Sequence, residues 1–435
     1  MNRNGKVLLL LIAIVILSIG IFLFIRLSTN DQDTAVENTS LRPEISANMD
    51  VIESQVSELR GLDIKAKVPR KLLTRNELRD VVLNDFLNTY TPEDQAQDVA
   101  VMNLFGFLPA DFKLRDFYLE LYTEQIAGFY DSEKQEMYVI SDSGFGGLER
   151  STYAHEFVHA LQDEHFDFEG KLKYTDEACQ QDSERCVAIQ SLIEGDATLT
   201  EQLWFQTNGT KQDMQDLQDF ATTFQSPVFD SAPVSISETL TFPYLYGGTF
   251  VQALHAQGGY AAIDKAFTTT QPVSSEQIMH PTAYPNDVPN NPTLPDLEKA
   301  LGADWKEIES DTLGEWYIFM ILAKADDPQY RLFDSLAKDA AEGWGGDTYS
   351  VLKNNQTGRV AMLVEINWDT EADADAAFKA FSDYSDLRFG TVGADGIWQG
   401  TDYSSVLVQT IPTSFTWIVA QELSTLQSLQ AIVQN

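Results

Sequence analysis

Two histidines and a glutamate within residues 152–161 have the spacing of a zinc-binding motif. His155, Glu156 and His159 form the pattern H-E-x-x-H in a stretch of helical periodicity. Residues four apart lie on one face of an α-helix, so both imidazoles can bind one Zn²⁺ ion while Glu156 reaches an adjacent water. We therefore predict one catalytic zinc, with Glu156 as the general base that activates water for hydrolysis.

A catalytic zinc usually has three protein ligands and an open position for water. The metzincin spacing H-x-x-G-x-x-H, which would supply a third histidine, does not follow His159. Residues 191–198 form a helical stretch that carries acidic side chains, and Glu194 is the predicted third ligand. Asp196 and Glu201 are the competing candidates, because the sequence alone does not fix which acid faces the histidines.

The H-E-x-x-H motif and Glu194 resemble those of the gluzincin metallopeptidases, which include thermolysin and the zinc aminopeptidases. In that class a strand before the first zinc helix forms the edge of the substrate cleft, and residues 128–140 have the pattern of a β-hairpin at this place. An extended peptide can bind such an edge by main-chain hydrogen bonds. The chain also looks like uncharacterised membrane-anchored or secreted bacterial and archaeal proteins, over residues 124–131, 155–166 and 194–197.

The resemblance implies a further residue that binds the oxyanion formed in peptide hydrolysis. Pro-Tyr-Leu-Tyr-Gly at residues 243–247 is similar to the P-Y-x-x-G stretch of zinc aminopeptidases, which places a tyrosine at the start of a helix. This similarity points to Tyr244, with Tyr246 as second choice. His280 is the other candidate, since thermolysin-like enzymes use a downstream histidine, although the residues around it do not match theirs. Each of the three is otherwise an ordinary packing residue.

The remaining histidines and one acid have weaker claims to a role. Asp163, four residues after His159, lies on the same helical face and can either orient a ligand imidazole or be solvated. His165 and His255 are predicted to be surface or core residues.

The two cysteines lie between the predicted zinc-binding elements. Cys179 and Cys186 enclose six residues, and outside the membrane a disulfide is the natural state for such a pair. A second metal site would need more ligands than two thiols and nearby acids. Free thiols are expected only if the chain has the opposite topology.

Residues 7–25 are apolar except for Ser18 and Gly20, and a run of this length can cross a bilayer as a helix. Arg3 and Lys6 precede it, so the positive-inside bias predicts a cytoplasmic N-terminus and an extracytoplasmic remainder at the cell membrane. A long, cleaved signal peptide is the alternative.

The chain beyond this span has helices and strands in separate groups, which argues against a doubly wound parallel sheet. We therefore predict an α+β fold, with an N-terminal transmembrane helix, a zincin-like metallopeptidase domain and a C-terminal α+β region. Residues 367–370 in that region are predicted to form a turn with aromatic packing and no chemistry. The predicted boundaries are a cytoplasmic segment at 1–6, the span at 7–25, a flexible stalk at 26–50, the gluzincin-like domain with a helical lead-in at 51–295, and the C-terminal region at 296–435.

The composition restricts the partners. The chain has 29 Lys and Arg against 66 Asp and Glu, a net charge of −37. Nucleic acid is therefore not expected as a partner, because its phosphates require a cationic surface. The predicted partners are a peptide or protein substrate and, through residues 7–25, the lipid bilayer.

Together these features predict a membrane-anchored zinc metallopeptidase. Endopeptidase activity is favoured weakly, since no clear G-x-M-E-N motif for the substrate amine is present. A zinc-dependent cell-wall amidase or peptidase, and a non-catalytic zinc-containing binding or scaffold protein, are the alternatives.

Overall fold

The computed structural model describes residues 41–142 and 144–434. Within these residues the chain forms 17 α-helices and nine strands. Up to residue 208 the elements are α1 (Pro43–Arg60), β1 (Arg70–Leu73), α2 (Arg75–Val81), which continues as one π-helical turn (Val82–Phe86), α3 (Pro92–Phe105), α4 (Leu114–Gln125), β2 (Gly128–Asp131), β3 (Glu136–Ile140), α5 (Gly147–Phe166), α6 (Asp176–Cys179) and α7 (Ser183–Asn208).

The second half contains six further α-helices before the next strand, β4. These elements are α8 (Lys211–Thr223), α9 (Pro227–Asp230), α10 (Val234–Gly258), α11 (Tyr260–Thr268), α12 (Ser275–Met279), α13 (Leu297–Leu301), β4 (Trp305–Asp311), α14 (Gly314–Ala323), a 3₁₀ turn (Pro328–Tyr330), α15 (Asp334–Ala341), β5 (Trp344–Asn354), β6 (Val360–Trp368), α16 (Glu371–Phe389), β7 (Ile397–Gln399), β8 (Ser404–Ile411), β9 (Ser414–Ala420) and α17 (Leu423–Val433).

Several helices begin at a capping box that can be read from the sequence. In each case a threonine hydroxyl accepts the N–H of the third helical residue, whose acidic side chain accepts the threonine N–H. The four threonines precede α2, α3, α8 and α16, and they are Thr74, Thr91, Thr210 and Thr370. These caps satisfy backbone donors that would otherwise be left free, and so fix where the helices start.

The first sheet has three strands in the order β1-β3-β2. β1 runs parallel to β3 and β2 antiparallel to it, so Val139 lies between Leu72 and Gly128. β3, the strand directly before α5, is therefore central in this sheet, and the 128–140 hairpin presents an edge through β2.

The second sheet has six antiparallel strands in the order β4-β5-β6-β9-β8-β7. Side chains alternate between its two faces, because successive residues of a strand point to opposite sides. One face packs against α13 and α17 and contains Ala361, Leu363, Ile418 and Ala420. The other face, which packs against α16, contains Met362, Val364, Trp417 and Val419.

The second face of this sheet belongs to the same hydrophobic cluster as α5 and α7. Phe157 and Leu192 from these helices, Trp316 from α14 and Met362 from β6 are members of it, and all are buried. The helices before the proline-rich segment at 285–295 and the sheet after it therefore share one core.

The fold-class prediction was wrong, because it included a transmembrane helix. Among residues 41–142 and 144–434, no helix is long and apolar enough to cross a membrane. The long helix α7, for example, carries the buried acids Glu194, Asp196 and Glu201, which have polar partners inside the protein. The structure is mixed α+β. Residues 7–25, on which the span was predicted, lie outside the described residues.

Candidate metal centre

Close backbone packing fixes the start of α5, the helix that carries H-E-x-x-H. The Gly147 N–H donates to Asp216 of α8 at 2.9 Å. A Cβ added at Gly147 would lie 2.5 Å from the carbonyl oxygen of Asp213, so only glycine allows this approach. The contact between α5 and α8 thus fixes the N-terminal end of the helix that carries His155 and His159.

Helices α7 and α10 meet with even less space between them. A Cβ at Gly195 would lie 2.2 Å from the Gly247 carbonyl oxygen, and a Cβ at Gly247 would lie 2.2 Å from the Ser191 carbonyl oxygen. Because glycine has no side chain, the two backbones can touch here. The contact brings Tyr244, one turn before Gly247, beside Glu194.

Two imidazoles and one carboxylate converge where α5 faces α7. The Oε2 atom of Glu194 lies 3.2 Å from His155 Nε2 and 3.5 Å from His159 Nε2. The three potential ligand atoms lie within 4.8 Å of one another, and all three side chains are fully buried. The predicted ligand residues are therefore neighbours in space.

The other nitrogen of each imidazole is held by a second polar side chain. His155 Nδ1 lies 3.2 Å from Glu201 Oε2, and Glu201 also accepts a 2.6 Å hydrogen bond from the Ser151 hydroxyl. His159 Nδ1 lies 3.0 Å from Gln162 Oε1. When these Nδ1 atoms carry the protons, each Nε2 has a lone pair directed toward the centre, as metal binding requires.

Asp196 lies behind Gln162 and faces away from the histidines. Gln162 Nε2 donates to Asp196 Oδ2 at 2.8 Å and to the Ile193 carbonyl at 3.1 Å, which leaves its Oε1 atom for His159. Asp196 also pairs with Arg60 of α1, with a distance of 2.9 Å between Nε and Oδ1. Of the three acids considered from the sequence, Glu194 lies between the histidines, while Glu201 and Asp196 have supporting contacts.

The Glu156 carboxylate is fully buried, and neither of its oxygens has a hydrogen-bond partner among the described residues. Burial raises its pKa to about 7, and the nearby His159 and His155 oppose this rise. A Cβ at Gly128 of β2 would lie 3.1 Å from the Glu156 Cγ atom, so the strand passes directly against this side chain. A buried acid without partners is costly unless another group is bound beside it.

The Tyr244 side chain reaches the same group of residues from α10. Its ring centroid lies 6.4 Å from that of His155, and its hydroxyl hydrogen-bonds the Glu194 carboxylate. Burial, with a contribution from the Glu194 charge, raises the pKa of Tyr244 well above 10. Tyr244 lies in the middle of α10, after an internal Pro243, and not at a helix start as the resemblance implied.

Tyr246 and His280 have other surroundings. The Tyr246 ring stacks on Phe242 at 4.9 Å and packs against Trp316 at 5.2 Å. His280 is partly exposed, and its Nε2 atom lies 2.9 Å from Glu315 Oε1, which raises the pKa of the imidazole. His280 is not part of the group formed by His155, His159 and Glu194.

The other residues considered from the sequence also have local partners. Asp163 accepts hydrogen bonds from the Tyr130 hydroxyl and the Phe168 N–H, both at 3.0 Å. His165 contacts the Asp63 carbonyl oxygen, and the His255 ring packs against Tyr260. The sequence patterns were not used to identify Gln162 as the partner of His159, although its position three residues later on the same helical face indicates such a contact. Arg60 was missed as well, because no local pattern indicates it.

Cys179 and Cys186 form a disulfide. The bridge joins the end of α6 to the first turn of α7, the helix that carries Glu194. It therefore restrains the segment between the two helices of the candidate metal centre.

The donor set fits zinc. Two imidazole nitrogens and one carboxylate oxygen form the His₂Glu set of catalytic zinc sites, which leaves a fourth position open. A further observation agrees with a bound metal ion: the Glu156 carboxylate is buried beside this set, and residues 41–142 and 144–434 provide no hydrogen-bond partner for it. The partners at both Nδ1 atoms complete the surroundings expected for metal-binding histidines.

Comparison with known families reaches only the C-terminal part of the chain. A family model described as a domain of unknown function, DUF8575, matches residues 301–430. No curated protein and no solved structure matches the chain. The matched stretch contains β4 to β9 and none of the residues of the candidate metal centre.

Proposed function

We propose that the protein is a zinc metallopeptidase in which His155, His159 and Glu194 hold the metal and Glu156 is the general base. The observation that carries this proposal is the buried carboxylate of Glu156, which has no hydrogen-bond partner in the described part of the chain and lies next to a three-ligand group. Proteins rarely keep such a group for stability alone, and perturbed buried acids cluster at reactive sites.

His155, His159 and Glu194 would hold a zinc ion, which would supply a Lewis acid for a substrate carbonyl group and for the attacking water. Glu156 accepts a proton from the attacking water and then donates it to the nitrogen of the leaving amine. Burial disfavours the charged carboxylate and so helps Glu156 to take up the proton, whereas the charge of a bound zinc ion would favour its release.

Glu156→Gln is the variant that tests the proposal. Glutamine has nearly the same shape but cannot accept the proton, so we expect cleavage of a proteome-derived peptide library to fall about 10²–10⁴-fold. Zinc content, measured by elemental analysis of the purified protein, should stay at one ion per chain because the three ligands are intact. Stoichiometric zinc with undiminished cleavage would contradict the proposed mechanism.

Tyr244 is the residue that we propose as oxyanion donor. Its raised pKa keeps the phenol protonated, so it remains a hydrogen-bond donor at neutral pH. We expect Tyr244→Phe to lower kcat by about 10²–10³-fold with little change in KM or in zinc content.

Tyr246→Phe is the matched control, since it also removes a phenolic hydroxyl from α10, but from a ring that packs on Phe242 and Trp316. Equal losses of kcat in the two variants would show that Tyr244 acts only through packing.

A non-catalytic zinc protein is the second candidate. The observation in its favour is the complete burial of His155, Glu156, His159 and Glu194, since a peptide must reach a catalytic site. The two candidates differ in whether the wild-type protein cleaves any peptide, which the library digestion measures directly.

We also propose an extracytoplasmic location for the folded part. The Cys179–Cys186 disulfide supports this location, because such bonds persist in oxidising compartments.

A further inference from the structure

Three acidic side chains meet outside the candidate metal centre. Glu276 belongs to α12, Asp287 to the proline-rich segment, and Asp369 to the turn between β6 and α16. One carboxylate oxygen from each lies within 4.8 Å of the other two. Segments far apart in the sequence therefore bring three carboxyl groups to one point.

Backbone contacts hold the three segments in this arrangement. The Asp287 N–H donates to the Ala283 carbonyl at 3.0 Å, and the Asp287 carbonyl accepts a hydrogen bond from the Gln277 side chain. The Asp369 N–H donates to the Gly343 carbonyl at 2.9 Å. The Asn367 side chain also donates to the Asn290 carbonyl at 3.0 Å, which links the end of β6 to the proline-rich segment. None of these contacts uses a carboxylate of the three acids.

Glu276 is the buried member of the group. It is 4% exposed, and its Oε2 atom has no hydrogen-bond partner among the described residues. In the described part of the chain no lysine or arginine forms an ion pair with Glu276, Asp287 or Asp369. Burial and then the charges of Asp287, Glu315 and Asp369 raise the pKa of Glu276 to about 8. The nearby His280 opposes this rise, but its imidazole pairs with a fourth acid, Glu315, at 2.9 Å.

We propose that Glu276, Asp287 and Asp369 bind a Ca²⁺ ion. A set made only of carboxylate oxygens favours a hard cation, whereas zinc prefers sites with nitrogen or sulfur ligands. Three carboxylates can supply up to six oxygens, and Ca²⁺ accepts six to eight. The ion would join α12, which packs on α7 and α10, to the turn after β6 in the C-terminal sheet. This site shares no residue with the candidate zinc centre.

Calcium titration of the purified full chain tests the proposal. After removal of calcium with EGTA, we expect calorimetry to find one Ca²⁺ per chain with a Kd on the order of 0.1–1 mM. Saturation with Ca²⁺ should raise the Tm by roughly 3–6 °C.

Glu276→Gln and Asp369→Asn should remove both the binding and the Tm shift. In EGTA each should be at least as stable as the wild type, because a neutral amide replaces one of three carboxyl groups whose ionisation at this place is unfavourable. Asp375→Asn, at an exposed position of α16, is the matched control and should keep the full shift. Glu156→Gln should also keep it, which separates this proposal from the proposed peptidase function. A wild-type Tm that does not respond to Ca²⁺, or an equal response in Glu276→Gln, would overturn the assignment.

Discussion

Replacement of Glu194 by glutamine is expected to abolish peptide cleavage and to lower zinc affinity more than about 100-fold. The loss should exceed the roughly 10- to 100-fold effect of removing a residue behind the ligands. Glu194 Oε2 lies 3.2 Å from His155 Nε2 and 3.5 Å from His159 Nε2. A carboxamide at this place has no negative charge, so it would be a much weaker ligand for a metal ion between these atoms. Competition with a chromogenic chelator measures the affinity.

Glu201→Gln is the control for this prediction. Glu201 contacts His155 Nδ1 at 3.2 Å and accepts the Ser151 hydroxyl, so it orients one ligand without facing the centre. We expect its replacement to lower zinc affinity only about 10- to 100-fold. If Glu201→Gln lowers zinc affinity more than Glu194→Gln does, Glu201 is the zinc ligand and Glu194 the supporting residue.

Replacement of Asp196 by alanine is expected to lower the free energy of unfolding by about 3–5 kcal/mol. Arg60 and Asp196 are both fully buried, with 2.9 Å between Nε and Oδ1. Without Asp196 the guanidinium would remain buried with Asp264 as its one acidic partner among the described residues, and Gln162 would lose an acceptor. Urea unfolding at neutral pH measures the change.

Asp264→Ala provides the comparison for the same arginine. Asp264 also contacts Arg60, at 2.7 Å, but its side chain is 40% exposed. Solvent screens such a pair, so the expected cost is about 1 kcal/mol or less. If the two alanine variants unfold at the same urea concentration, burial of the Arg60–Asp196 pair does not determine how much the pair contributes to the free energy of unfolding.

The helix that carries the two histidines can be predicted from the sequence, because the geometry of residues four apart is local. Glu194 can be chosen as a third ligand only by its helical context. Its position between the histidines is a contact across 39 positions, and the Arg60–Asp196 pair on the same helix joins residues 136 positions apart. No pattern within a window of the sequence contains that information.

Two features of the fold could not be predicted from local sequence patterns. Pro243 lacks a backbone N–H and favours a helix boundary, yet α10 runs through it from Val234 to Gly258. Close packing of α10 on α7 outweighs this local preference. The parallel pairing of β1 with β3 is likewise not visible in the sequence, because it joins segments more than 60 residues apart.

The backbone contact between Gly195 and Gly247 has a consequence for recognising relatives of this chain. A side chain at either position would force α7 and α10 apart, and Tyr244 would then no longer reach Glu194. The two glycines and their neighbours should therefore be inherited as a unit, E-G on one helix with Y-x-x-G on another. In distant chains that keep H-E-x-x-H, this paired signature would separate those with the same centre from those that share the motif alone.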